Sequence, residues 1–162
     1  MQRITILLLL VSVCGCNERQ PIKTGFEGNP IPGFTILLPD STTYLNTLNI
    51  PSGKPIVLFY FSPKCPYCRI QMNSIINGME ALKNIRFVLF TNYPFRDMKR
   101  FYLEFHLEQY QNISVGIDFA YAFQHQFKTN SVPYTAIYGN NGLLKRVFLG
   151  GINAKNIKSV TE

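Results

Sequence analysis

Two cysteines separated by two residues are the part of this sequence best suited to chemistry. Cys65 and Cys68 enclose Pro66 and Tyr67 and follow a continuous apolar run, Ile56 to Phe61. Apolar residues recur at helical spacing after the pair, which predicts a strand followed by a helix that begins at the cysteines. The free amides of a helix N-terminus stabilise a thiolate at Cys65 and make it a nucleophile. Cys68, three residues on, lies on the same helix face and can attack a mixed disulfide at Cys65.

Zinc binding is the main alternative use of a Cys-x-x-Cys pair. A structural zinc site needs two further cysteine or histidine ligands. The histidines are His106 and His125, and both lie in helical stretches without ligand-like spacing to the pair. Redox chemistry is therefore favoured, and neither a metal nor a cofactor is expected.

A proline directly before a strand is the second feature that points to a site. Pro133 lies between Val132 and Tyr134. Because proline lacks an N–H donor, it belongs at a strand end or in a cis turn. An ordinary trans loop proline is the alternative that most such bonds adopt. Its place after the cysteine helix and before a predicted hairpin favours a specific role.

The surrounding pattern predicts an α/β domain with a mixed sheet. Strand, helix, strand, helix in succession indicates a parallel core, and the turn Asn140-Asn141-Gly142 predicts an antiparallel hairpin after it. The predicted strands are 34–38, 44–50, 56–61, 85–90, 113–117, 134–138 and 143–149, and the predicted helices are 65–82, with a bend at Asn77-Gly78, 96–110, 119–127 and 153–161.

The N-terminus has the pattern of an export signal. Arg3 precedes an apolar run, Ile4 to Val13, too short to span a bilayer as a helix. Val13-Cys14-Gly15-Cys16 resembles the lipobox of bacterial lipoproteins, which implies lipidation of Cys16. Signal cleavage without a lipid is the alternative. We expect a signal peptide over 1–15, a lipidated tether over 16–32 and one globular domain over 33–162.

Composition and cysteine count narrow the function further. The chain has 162 residues, 46% of them hydrophobic, and a net charge of +7 from basic residues that are scattered along it. Nucleic-acid binding needs a concentrated basic patch, so it is not expected. Once Cys14 leaves with the signal and Cys16 carries a lipid, only Cys65 and Cys68 remain as thiols. A disulfide that closes so short a loop stabilises little, so the pair is better suited to exchange than to stapling.

A strand, a Cys-x-x-Cys pair at a helix N-terminus and a later proline before a hairpin resemble the thioredoxin superfamily. The resemblance covers about 33–161, and Phe34 to Leu37, the long segment between the pair and Pro133, and the Gly142 hairpin are similar to TlpA-type, membrane-anchored redoxins. It implies a thioredoxin-like three-layer fold with a central mixed β-sheet flanked by helices. It also implies a thiol:disulfide oxidoreductase, more often a reductase than an oxidase.

The same resemblance implies partners, location and roles. The partners would be exported proteins with disulfides or thiols and an upstream membrane electron carrier, on the periplasmic side of a bacterial membrane or at the cell surface. The implied roles are attack by Cys65, resolution by Cys68, and binding of the partner's extended chain by Pro66, Tyr67, Val132 and Pro133.

Three positions depart from the family pattern, and the missing Asp and Glu keep a second function open. Thioredoxins place a buried Asp where this chain has Phe59 and a Trp where it has Lys64, and many TlpA-type reductases place a Glu where it has Gln71. Glutamine cannot take a proton. Deprotonation of Cys68 then depends on water or another group. A lipoprotein adaptor that binds partners with little redox turnover is therefore the alternative.

Overall fold

A computed structural model describes residues 19–162 of the chain. The predicted signal peptide, Cys14 and the candidate lipidation site Cys16 lie outside the described residues, so they stay predictions. Of the helices between residues 19 and 162, none has the length and apolar character needed to cross a membrane.

The described residues form one mixed sheet of seven strands. Their order across the sheet is β2-β1-β5-β4-β3-β6-β7. The central strands β3, β4 and β5 are parallel, and the other pairings are antiparallel. The strands are β1 (Thr35–Leu37), β2 (Tyr44–Asn46), β3 (Ile56–Tyr60), β4 (Arg86–Thr91), β5 (Ile113–Ile117), β6 (Tyr134–Tyr138) and β7 (Leu144–Leu149).

Helices cover both faces of this sheet. They are α1 (Pro66–Asn77), α2 (Met79–Leu82), α3 (Phe95–Glu104), α4 (Ala122–Phe127) and α5 (Ala154–Thr161). Because side chains alternate along a strand, Phe59 lies in the core shared with α1, α3 and α5, whereas Tyr60 lies in the core shared with α4. The predicted three-layer, thioredoxin-like α/β fold is confirmed.

Two helix boundaries show how local residues shape the fold. The predicted bend at Gly78 is confirmed, since α1 ends there; a Cβ on Gly78 would lie 2.5 Å from the Cβ of Ala154, so glycine allows α5 to approach. The single helix predicted over 96–110 is wrong. It ends at Glu104, and His106 adopts a left-handed conformation (φ 50°) before a short 3-10 turn.

Residues 19–32, which we call the leader segment, lie along the outer edge of β7. Ile22 N–H donates to Val147 O (2.8 Å), and Leu144 N–H donates to Asn29 O (2.9 Å). The segment starts beside Gly150, where a Cβ would lie 2.9 Å from the guanidinium carbon of Arg19. The described part of the predicted tether is thus attached to the sheet, and the lipid anchor before it stays a prediction.

Candidate active site

The cysteine pair lies where the central strand β3 gives way to α1. Cys65 is the N-cap residue of α1, with extended backbone angles, and its N–H donates to Ser62 O (3.1 Å). Pro66 occupies the first turn, where its missing N–H would have no intrahelical partner. No side chain caps the helix, so the first free amides of α1 remain available to a thiolate at Cys65.

The two thiols differ strongly in their surroundings. Cys65 is partly exposed, whereas Cys68 is completely buried in the apolar core. Burial raises the pKa of the Cys68 thiol far above its usual range, and the Cys65 side chain, which hydrogen-bonds to it, acts in the same direction. A backbone hydrogen bond with Ser62 lowers the pKa of Cys68, but by less than burial raises it. Cys68 therefore holds its proton at neutral pH, which suits a thiol that acts only in the second step.

This difference predicts unequal alkylation of the reduced protein. Because the thiolate is the reactive form, the protonated and buried Cys68 should react with iodoacetamide more slowly than Cys65 by a factor on the order of 100 at neutral pH. Time-resolved peptide mass spectrometry measures both rates in one sample. Equal rates at the two positions would contradict the asymmetry on which the site depends.

The peptide bond between Val132 and Pro133 is cis, at the start of β6. Pro133 is buried, and its carbonyl oxygen accepts a hydrogen bond from Gly150 N–H (2.9 Å). Val132 and Cys65 both pack against the same apolar core. Within residues 19–162 the backbone N–H and C=O of Val132 have no hydrogen-bond partner, so they are available to an extended chain. The binding role of these residues stays a prediction.

Gln71, one turn after Cys68, is completely buried, and its amide nitrogen and oxygen are each hydrogen-bonded. Its amide donates to Thr135 Oγ1 (2.8 Å) on β6 and accepts from Ile152 N–H (3.1 Å) before α5. The side chain therefore ties the active-site helix to two other elements. As expected for an amide, it offers no proton acceptor to Cys68.

Phe59 occupies the position where thioredoxins place a buried Asp. It is completely buried, its ring centroid lies 5.8 Å from that of Phe61, and it is paired with Thr135 across β3 and β6. Phe59, like Gln71, therefore supplies no proton acceptor to Cys68, and its side chain contributes apolar packing.

The charge next to the cysteines is offset by a carboxylate. Lys64 Nζ lies 3.3 Å from Asp97 Oδ2, with the lysine side chain 71% exposed and the aspartate side chain 11% exposed. Because the lysine is largely solvated, the pair contributes about 0–1 kcal/mol. Sequence reasoning did not identify Asp97, because no local pattern links it to a residue so distant in the chain. The interpretation of Lys64 as mainly a solvated charge agrees with this geometry.

The described residues contain no group of three or more side chains of the kinds that bind metal ions. A cysteine pair at the N-terminus of the helix after a central strand, together with a cis proline at the start of a later strand, defines the class of thioredoxin-like oxidoreductases. Residues 48–162 match the family model of the thioredoxin-like domain. The chain belongs to this family.

Solved structures with this fold agree in architecture at low sequence identity. A secreted disulfide oxidoreductase of Mycobacterium tuberculosis shares 18% identity at a TM-score of 0.66, covering 78% of this chain and 92% of that one. StoA of Bacillus subtilis shares 13% at 0.60, covering 81% and 97%. The thioredoxin domain of a thiol-disulfide oxidoreductase of Bacteroides vulgatus shares 12% at 0.64, covering 82% and 93%. A comparison with curated proteins finds no match.

Proposed function

We propose that this protein exchanges disulfides with exported proteins and acts on them as a reductase. The observation that carries the proposal is the partly exposed Cys65 beside the buried, protonated Cys68 at the uncapped start of α1. One thiol is open to a partner, and the other is shielded until a mixed disulfide forms.

In the first step the Cys65 thiolate attacks one sulfur of a substrate disulfide. The Cys65–substrate bond forms, the substrate S–S bond breaks, and the second substrate sulfur leaves as a thiolate. Cys68 then loses its proton, to water or to the departed thiolate, and attacks Cys65 Sγ. The substrate leaves as a dithiol after gaining two electrons and two protons, and the enzyme is left with a Cys65–Cys68 disulfide.

The electrostatics near Cys65 favour reduction over oxidation. Strongly oxidising thiol:disulfide oxidoreductases have a high reduction potential because their reduced form is stabilised. In that form, nearby positive charge stabilises a cysteine thiolate. Here the adjacent cation, Lys64, is exposed and paired with Asp97, which offsets its charge. Regeneration of the dithiol requires two electrons and two protons from a donor, for which we propose a membrane electron carrier.

The proposed location is the outer side of a bacterial membrane, with Cys16 lipidated. The support is the sequence before the described residues: an apolar run followed by Val13-Cys14-Gly15-Cys16. An exported position also suits a chain whose remaining cysteines are a single exchange pair.

A redox titration and an insulin-reduction assay on the full chain test the function. We expect the protein to cycle between dithiol and disulfide forms and to accelerate the reduction of insulin by dithiothreitol. The control variant carries both Cys65→Ser and Cys68→Ser and should show only the uncatalysed rate. The proposal fails if the native chain never changes between dithiol and disulfide forms. If proteins that bind the native chain also bind the double variant, the protein is an adaptor.

A further inference from the structure

Several large apolar side chains, most of them aromatic, are exposed at the end of the domain that carries Cys65. Because β3, β4 and β5 are parallel, the segments that follow them meet at one end of the sheet, which we call the cysteine end. The exposed apolar side chains in these segments are Tyr67 (65%), Ile70 (64%), Tyr93 (36%), Phe119 (55%) and Tyr121 (47%).

Basic residues accompany these side chains, and the nearby carboxylates are paired with cations or with backbone amides. Arg19 and Lys155 line one groove together with Tyr67 and Ile70. The carboxylates in these segments nearest the cysteines are Asp97, Asp118 and Glu104. Glu104 is exposed and is paired with Arg69. Asp97 is paired with Lys64, and Asp118 accepts hydrogen bonds from the first amides of α4. The surface therefore combines amphipathic rings with positive charge, the composition that favours an anionic lipid interface.

The leader segment brings the proposed lipid anchor to this same end. Arg19 lies over Gly150 and lines the same groove as Tyr67, which stands between the two cysteines. Two residues, Asn17 and Glu18, lie between Cys16 and Arg19. The three residue steps span at most about 11 Å of extended chain. Since Ile22, Gly28 and Asn29 are hydrogen-bonded to β7, the leader segment cannot act as a long free tether.

We propose that the cysteine end lies on the anionic surface of the anchoring membrane, with its aromatic side chains at the level of the lipid headgroups. The inference rests on the proposed lipidation of Cys16. Its consequence is that Cys65 meets partners at the membrane surface, either embedded in the bilayer or emerging from it. A domain on a long tether would instead meet partners in free solution.

Fluorescence quenching tests this orientation, because the chain contains no tryptophan. Single reporters are introduced into the full, lipidated chain as Ile70→Trp and Phe119→Trp at the cysteine end. The matched control is Leu143→Trp, in the hairpin at the opposite end, where Leu143 is 37% exposed. Each protein is reconstituted in vesicles of phosphatidylglycerol and phosphatidylethanolamine, with and without bromine on the acyl chains.

We expect bromine to reduce the emission of both cysteine-end reporters by roughly twofold or more and to leave the control nearly unchanged, as for rings at the headgroup boundary. A flexible insertion of about 20 Gly and Ser residues after Asn17, long enough to uncouple the domain, should abolish the difference. Equal quenching at both ends would overturn the proposal. Absence of quenching at the cysteine end would also overturn it and would indicate that this surface binds a protein partner.

Two controls keep this outcome separate from the proposed redox function. The quenching series is repeated with both Cys65→Ser and Cys68→Ser, since orientation does not depend on exchange chemistry. The mass of the N-terminal peptide reports acylation of Cys16. An unacylated peptide would overturn the orientation while leaving the disulfide exchange activity intact.

Discussion

Replacing Cys68 by serine should convert the protein into a trap for its substrates. Cys65, the proposed nucleophile, remains partly exposed at the start of α1, so attack on a partner's disulfide should still proceed. The buried thiol that would release the partner is missing, and a serine hydroxyl cannot attack a disulfide under these conditions. Partners should accumulate as covalent adducts that dithiothreitol releases, and turnover in the insulin assay should fall by at least about 100-fold.

The matched control is Cys65→Ser, which leaves Cys68 fully buried and protonated. This variant should lose turnover equally and form no adducts. Non-reducing gels followed by mass spectrometry measure the adducts and identify the partners. If Cys65→Ser trapped proteins as efficiently as Cys68→Ser, the assigned order of attack and resolution would be wrong.

Gln71→Leu should cause a large loss of stability without altering either cysteine. The substitution keeps the helix and much of the volume but removes both hydrogen bonds of the buried amide. Ile152 N–H and Thr135 Oγ1 lose their partner in a buried setting. An unsatisfied buried polar group costs about 1–3 kcal/mol, so the free energy of unfolding should fall by about 2–4 kcal/mol. Denaturant unfolding of the reduced protein measures it.

Asn73→Leu is the control on the same helix, because Asn73 is exposed. Its effect should stay within about 0.5 kcal/mol. Gln71→Glu adds a second comparison, since a carboxylate keeps an acceptor for Ile152 and supplies the proton acceptor that glutamine lacks. If proton removal from Cys68 limits turnover, this variant should be faster. A Gln71→Leu protein as stable as the native one would refute the role of the amide as a clamp.

The sheet and the cysteine site could be predicted from the sequence because their signals are local. The run Ile56 to Phe61 is apolar throughout, as a strand buried on both faces requires, and the turn around Gly142 fixes the hairpin. Helical spacing after Cys68 places the pair at a helix N-terminus. Each of these inferences uses residues that are neighbours in the chain.

The features that the sequence did not reveal depend on distant partners. The bonds of Gln71 join residues 64 and 81 positions apart, and no periodic pattern encodes such contacts. The end of α3 was missed because Phe105 continues the helical spacing, whereas His106 adopts a left-handed backbone that no glycine announces. In the leader segment, glycine and proline correctly indicate the absence of a regular strand. The isolated bridges to the hairpin strand have no sequence pattern of their own, so the attachment of this segment could not be predicted.

The attachment of the leader segment also bears on how the molecule avoids self-association. An outermost strand offers a row of open amides and carbonyls to which another chain can add by pairing. In this protein the two bridges at Ile22 and Pro30 occupy the outer side of β7. A recombinant domain that starts at residue 33 would leave this side open, so we expect its solubility to depend on where the polypeptide is cut.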